Sequence, residues 1–367
     1  TYFEGVLLVP ILAKYTFEKK INIINNKLEI ITNNDKLTNS FNLLFESLNI
    51  TRNNKVTEKG LYFINRASAY GVTVSYLNTL YNINKLLTSS PEYIWNRKSD
   101  NSEIHVDRAL NVWGSGGAHK NYFKKIDAII TNIFNKPLNK QPEGIIDIGC
   151  GDGTFLKHIY DLILNNTVRG NHINKKPLHI VGTDINEKAR IATKDTLKNI
   201  DNIVLDGDIS NPDALNKILY KKHNLKLNEL VNCRTFLDHN RIYKKPSKYF
   251  LKHNIHSNGT FAYRGKLINS IDLIANFIEH LYKWKPYINK YGLIIIELHT
   301  VNSEITKLNS GKTLACSYDA THGYTDQYLI EYNVYKKCFN ELGFKITNKN
   351  EFLYPIENPT VSINYII

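Results

Sequence analysis

Apolar residues recur at three-and-four spacing in Phe41 to Leu48 and again in Leu61 to Ala67, which predicts two amphipathic helices. Between them Ile50 to Gly60, ITRNNKVTEKG, is polar and turn-rich and reads as a strand pair ending at a helix start. A further helix is expected over Val72 to Leu87, leading into a loop at Ser89 to Pro91. From about Ile145 the pattern changes. Ile145 to Ile148 is a short buried strand, Gly153 to Leu164 a helix, His179 to Thr183 a strand, Glu187 to Leu197 a helix and Ile203 to Leu205 a strand. Alternation of this kind implies a parallel sheet. Glu229 to Phe236 and Gly292 to Leu298 supply two more strands around a long helix near Ile268 to Trp284, and Phe344 to Phe352 with Val361 to Ile367 form an antiparallel pair at the sheet edge. The segment Thr300 to Tyr328 is too long for an ordinary connection, and such loops are usually functional.

The break in pattern divides the chain into a mostly helical region, 1–120, and an α/β domain, 121–367, with a loop insertion near 300–328. Helix, ribbon and helix in the first region resemble a winged-helix unit. Such a unit either binds nucleic acid or serves as a packing element or lid. The absence of a basic recognition helix favours the second.

Asp147 to Thr154 reads DIGCGDGT, three glycines that follow a buried strand and open a helix. They give a turn free of Cβ atoms, with amides directed at a ligand. The dinucleotide fingerprint requires a third glycine three residues after the second; here Gly153 comes too early and the strand ends in an acid, Asp147. A carboxylate repels a pyrophosphate but attracts the ammonium of a methionine moiety, so the spacing favours S-adenosylmethionine over NAD. Asp184 follows the second strand, placed to accept both ribose hydroxyls, and Asp208 follows the third, placed to accept from the adenine amino group while Ile209 covers the ring. These residues resemble the cofactor motif of S-adenosylmethionine-dependent methyltransferases, and the resemblance implies a Rossmann-like, seven-stranded sheet with Asp147, Gly149, Gly151, Asp184, Asp208 and Ile209 holding the cofactor.

Forty-seven Lys and Arg against 34 Asp and Glu give a net charge of +13, which invites a nucleic-acid partner. The excess is nearly all lysine scattered among Asn, Ile and Tyr, a compositional bias that needs no partner. The longest apolar runs, Gly5 to Leu12 and Gly292 to Leu298, fall far short of the roughly 18–20 residues of a membrane span. Four cysteines without CxxC spacing argue against a zinc ribbon or disulfide framework, and a soluble, cytoplasmic protein is expected.

Three further segments resemble methyltransferases embedded in or serving polyketide synthases: His105 to Arg108 with Asn111 to His119, Thr235 to Arg241, and Tyr318 to Tyr328. The resemblance spans roughly Thr57 to Tyr335 and points to the starter-unit, loading-module type. It implies a mononuclear iron or similar divalent metal and a malonyl group presented on an acyl carrier protein. Carbon methylation needs an acidified C–H, and a chelated cation stabilises an enolate. His239, at the end of the fourth strand, and Gln327, in the long loop, are the candidate ligands for Fe(II) or Mn(II), with Glu297, His299 and His322 in reserve. Without a metal His239 becomes the candidate base, and Asp238 and Arg241 orient it or hold a substrate carboxylate. Trp113 to His119 is read as a turn or as a loop folding over the cofactor. Oxygen methylation of a polyketide or free small molecule is the alternative activity. Base methylation is disfavoured because Thr235 to His239 lacks the prolines of that motif, and a non-enzymatic winged-helix nucleic-acid binder is the remaining alternative.

Overall fold

The computed structural model describes residues 2–96, 98, 103–310, 312, 322–323 and 325–367; for residues 2 and 115–121 it describes the backbone alone. The chain forms two compact units, Thr1–Lys120 and Asn121–Ile367. No helix among the described residues is long and apolar enough to cross a membrane.

In the first unit the helix Asp35–Ser47 begins at Asn34, whose side chain accepts from the Leu37 amide, and buries Phe45. The expected strand pair is Thr51–Arg52 with Lys55–Val56, and it joins a hairpin, Ile21–Ile24 with Lys27–Ile30, in one four-stranded sheet. Thr57 then caps the helix Glu58–Asn65 through the Gly60 amide. The single helix expected over Val72 to Leu87 is instead three short ones, Gly71–Ser75, Leu77–Tyr81 and Ile83–Thr88. Each break is closed by a tight turn, Tyr76 N to Thr73 O at 3.2 Å and Asn82 N to Thr79 O at 3.1 Å.

The glycine-rich run from Trp113 to His119 is not a loop: it lies inside the helix Arg108–Phe134, whose first turn Asp107 caps at the Leu110 amide. Gly114 has a packing purpose. A Cβ there would stand 2.5 Å from the Val72 amide nitrogen, and one on Gly71 would stand 2.7 Å from the Gly114 Cα, so the two glycines let two backbones touch.

The second unit is built on a seven-stranded sheet. Its strands are β1 (Gly144–Ile148), β2 (His179–Thr183), β3 (Asn202–Leu205), β4 (Leu230–Thr235), β5 (Leu293–Leu298), β6 (Glu351–Tyr354) and β7 (Val361–Ile366). The order is β6-β7-β5-β4-β1-β2-β3, parallel except for β7, which runs antiparallel to β5 and β6. β6 starts at Glu351, later than expected, because residues 348–350 form a short turn of helix. The longer helices are α1 (Thr154–Asn166), α2 (Glu187–Thr196), α3 (Pro212–His223), α4 (Ser270–Ile288) and α5 (Tyr332–Glu341), with short ones at Val168–Asn171 and Ser303–Leu308.

Every residue of β1 is buried because helices cover both faces. On one face α1 sets Phe155, Leu156, Ile159 and Ile163 against Ile126 and Ile130; on the other α4 sets Leu273, Phe277, Leu281 and Trp284 against Ile146, Ile148 and Ile295. Each fully buried side chain of this size contributes roughly 1.5–3 kcal/mol. The chain winds outward from β1 through β2 and β3 and returns to place β4 on its other side. The carboxyl ends of β1 and β4 therefore flank the switch point, where open α/β sheets bind ligands.

Candidate functional site

Asp147, the penultimate residue of β1, is 1 % exposed, and neither carboxylate oxygen has a hydrogen-bond partner among the described residues. Burial, with Asp184 and Asp152 nearby, pushes its carboxyl well above the usual range. An orphaned acid at the bottom of a glycine turn is a place prepared for a cation.

The turn itself is rigid. Gly149, Gly151 and Gly153 all have positive φ, at 76°, 56° and 77°, and the Gly149 and Cys150 amides both donate to the Thr183 carbonyl of β2, at 2.7 and 3.0 Å. Asp184 is stapled to the turn: Oδ2 accepts from the Gly151 amide at 3.2 Å and Oδ1 from the Asn186 amide at 2.8 Å. Carboxylate oxygens keep further lone pairs, so these bonds orient Asp184 without exhausting it. Asp208 is held likewise by the amide and hydroxyl of Ser210, at 2.8 and 2.6 Å. Ile209 is buried, and its carbonyl accepts from Trp284 Nε1 of α4 at 2.7 Å. The ends of β1, β2 and β3 thus bring the residues expected to hold the cofactor into one row, and the chemistry of Asp147 fits the ammonium of S-adenosylmethionine.

Across the switch point, β4 closes on Phe236, a non-glycine residue at φ 56° whose amide donates to Ile296 O at 2.7 Å. This left-handed step turns the chain and sets Asp238 and His239 in a short helical turn, both buried. His239 Nδ1 donates to Glu297 Oε1 at 2.6 Å, and the His239 amide donates to Glu297 Oε2 at 3.2 Å. Glu297, near the end of β5, is 3 % exposed, and it also accepts from the Leu298 amide. The imidazole is therefore fixed in one tautomer, with Nε2 presented for chemistry.

Asp238 does not orient His239. Its carboxylate pairs with Arg234 of β4 and His280 of α4, each at 2.7 Å. Burial opposes the ionisation of Asp238, but Arg234, His280 and Arg241 outweigh it and hold its carboxyl below the usual range; His280, pushed down to about 4 by burial, stays neutral. Arg241 is likewise buried and committed. Nε donates to Asn276 Oδ1 at 2.8 Å and Nη1 to the Asp238 carbonyl at 3.0 Å, and the guanidinium lies over Phe277. Its remaining Nη2 has no partner among the described residues, and Arg241 lines a small cavity with His239, Glu297, Tyr328 and Tyr335.

Residues 103–365 match the AprA MT2-like methyltransferase domain family, and residues 4–90 match the AprA winged helix domain. The chain belongs to the AprA MT2-like family. It is an S-adenosylmethionine-dependent methyltransferase with an N-terminal winged-helix domain. Among solved structures, mitomycin 7-O-methyltransferase matches with a TM-score of 0.53 at 9 % identity, over 100 % of this chain and 95 % of that one. An O-methyltransferase family protein from Burkholderia thailandensis matches at 0.49 and 11 % identity, over 99 % and 94 %. The likeness to mitomycin 7-O-methyltransferase describes the fold alone. No curated protein matches the chain by sequence.

The proposed metal ligands of this methyltransferase lie close together in the fold. The Tyr328 amide donates to the His239 carbonyl at 2.8 Å, which ties the Gln327 segment to the end of β4, and Gln327 is buried. The His322 ring meets His239 edge-on at 5.8 Å, and the Gln327 amide donates to the His322 carbonyl. Yet no group of three His, Cys, Asp or Glu side chains set to hold a metal occurs among the described residues. His299 is withdrawn from the set. Its ring is 1 % exposed, with Nδ1 on the Ile330 carbonyl and Nε2 on Ser362. Residues 318–321 and 324 of the Tyr318 to Tyr328 motif, and the His119 side chain, lie outside the described residues. Sequence reasoning missed Arg234 and His280, although an arginine inside the apolar run of β4 was the available signal.

Proposed function

We propose that this methyltransferase alkylates the acidic carbon of a malonyl-type acyl group carried on an acyl carrier protein, with His239 as base and Glu297 as the carboxylate that orients it. The observation that carries the chemistry is the buried His239–Glu297 pair, His239 just beyond the end of β4, which adjoins β1, and Glu297 in β5. The acceptor follows from the polyketide-type segments around Asn111, Thr235 and Gln327.

Bound S-adenosylmethionine supplies an electrophilic methyl on a sulfonium, which leaves as neutral thioether. Asp147, Asp184 and Asp208 would place it; His239 Nε2 removes the α-proton that the thioester carbonyl acidifies, and the resulting carbanion takes the methyl as the S–CH3 bond breaks and the new C–C bond forms. Glu297 steadies the imidazolium until the proton passes to water. The surrounding buried side chains exclude water from the carbanion. A ring whose second nitrogen rests on a carboxylate also suits a metal ligand. The described donors do not complete a site for Fe(II) or Mn(II), so no step is assigned to one.

The test is mass spectrometry of malonyl-loaded carrier protein incubated with S-adenosylmethionine, with and without a chelator. A gain of one or two methyls, insensitive to chelator and reduced about 10²–10⁴-fold in His239→Ala, is the expected result. Loss on chelation, restored by added Fe(II), would overturn the base assignment. Methylation of a phenol or alcohol under conditions where the malonyl carrier stays unmodified would move the reading to oxygen transfer.

A further inference from the structure

The stretch 239–271 contains no Asp or Glu, in a chain that carries 34 of them over 367 residues, and it holds seven Lys or Arg. Two of the seven have other duties. Arg241 is buried beneath the site, and Arg264 pairs with Asp326 at 3.1 Å. Four others, Lys244, Lys245, Lys248 and Lys252, fall within nine residues, all exposed, and none is in an ion pair among the described residues. Beside them Tyr249 is 70 % and Ile242 54 % exposed.

The segment is irregular but firmly lashed down to α4. The Lys244 carbonyl accepts from Asn276 at 2.8 Å, the Ser247 amide donates to Glu279 at 2.9 Å, Phe250 packs on Tyr282 at 5.4 Å, and His253 Nε2 donates to the Ile271 carbonyl at 3.1 Å. Of the carboxylates beside the ribbon, Glu279 is taken by that amide and by Lys283, and Asp272 lies near Tyr243. The result is a preformed basic ribbon with two apolar contacts, beginning three residues after His239. Lys244 lies five residues from His239, within about 18 Å along even a fully extended chain.

We infer that this ribbon, Ile242 to Lys252, docks the acidic face of the carrier protein that presents the acyl group to His239. Unpaired surface lysines raise the encounter rate with an acidic partner and fix its orientation. The exposed Tyr249 and Ile242 supply the apolar contact expected near the centre of a protein interface, which a phosphate backbone would not use. Lashing the ribbon to α4 lowers the ordering cost of binding. The inference rests on the carrier-bound acceptor proposed above.

The experiment uses the full chain and a fluorescently labelled, malonyl-loaded acyl carrier protein of net negative charge, followed by anisotropy, with the variant K244E/K245E/K248E/K252E. The expected result is a Kd raised at least about tenfold in the variant and salt-sensitive binding in the wild type. In turnover the KM for the carrier-bound acceptor rises while kcat holds, and free malonyl-pantetheine is methylated at the wild-type rate. Unchanged carrier affinity in the folded variant, checked by its Tm, overturns the inference. So does tighter binding of a duplex RNA or DNA oligonucleotide than of the carrier, lost in the same variant. Binding is read without turnover, so a wild type that docks the carrier but methylates neither acceptor refutes the acceptor and leaves the dock standing.

Discussion

Asp147 combines two properties that conflict: it is 1 % exposed, and both its oxygens lack partners among the described residues. A buried acid without partners costs stability, and the apo protein bears that cost for the sake of a cation to come. Asp147→Asn is therefore expected to raise the apo melting temperature while weakening S-adenosylmethionine binding about tenfold or more, the worth of a charge-assisted hydrogen bond. Calorimetric titration alongside a thermal melt checks both signs, and a variant that loses stability as well as affinity contradicts this account. The acid at the strand end and the glycines after it were legible in sequence because their spacing encodes the turn. The partners of His239 were not. Asp238 is its chain neighbour and so looks like its orienter, but the left-handed step at Phe236 sends the Asp238 carboxylate to Arg234 and His280 and leaves His239 to Glu297, 58 residues away. Adjacency in sequence says little about side-chain direction where φ changes sign. The expected loss on Glu297→Gln is in kcat rather than in cofactor affinity, since Glu297 touches only the base and its neighbours; equilibrium binding and single-turnover rates separate the two.

Strands and helices of the second unit follow the apolar periodicity closely: β2 falls on the expected residues, and α1, α2 and α4 lie within a few residues of expectation. The exceptions have local causes. Glycines in the run from Trp113 to His119 signal a turn by composition, yet Gly114 is used for close helix approach, and nothing in the local sequence separates those uses. The hairpins at Ile21–Ile30 and Phe261–Ile268 are short and carry little alternation for a periodicity argument to find. The join between the cofactor turn and β4 shows how two elements fix each other. A Cβ on Gly149 would lie 2.9 Å from the Leu237 side chain, and its φ of 76° disfavours any L residue. Gly149→Ala is expected to cost about 1–2 kcal/mol of turn stability and to weaken cofactor binding correspondingly. Adding Leu237→Ala removes the clash but not the dihedral strain, so the double variant should recover only part of the affinity. Full recovery would show that space alone is limiting.

For the molecule as a whole, two buried histidines, His280 and His299, are expected to make stability fall in acid. Burial pushes His280 down to about 4 and His299 to about 3 from an ordinary 6.5, so both are neutral in the fold near neutral pH and must take up a proton on unfolding in acid. The sign follows directly. Each folded value lies below the unfolded one, so the unfolded chain binds more protons below pH 6.5, and stability, complete above that pH, falls as pH drops toward 4. Each imidazole contributes a slope of up to about 1.4 kcal/mol per pH unit. Asp147 works the other way: its raised carboxyl takes a proton in the fold before it would in the unfolded chain, which adds stability as pH falls. In wild-type protein these opposing slopes partly cancel, and Asp147→Asn should expose the full acid sensitivity of the two histidines. Urea midpoints between pH 7 and pH 4.5 measure it. In the Asp147→Asn background the decline is expected to be steeper than in wild type, and adding His299→Gln should remove about half of that slope whatever it does to the stability at pH 7. A slope that His299→Gln leaves untouched would place the acid limit in groups other than these two rings.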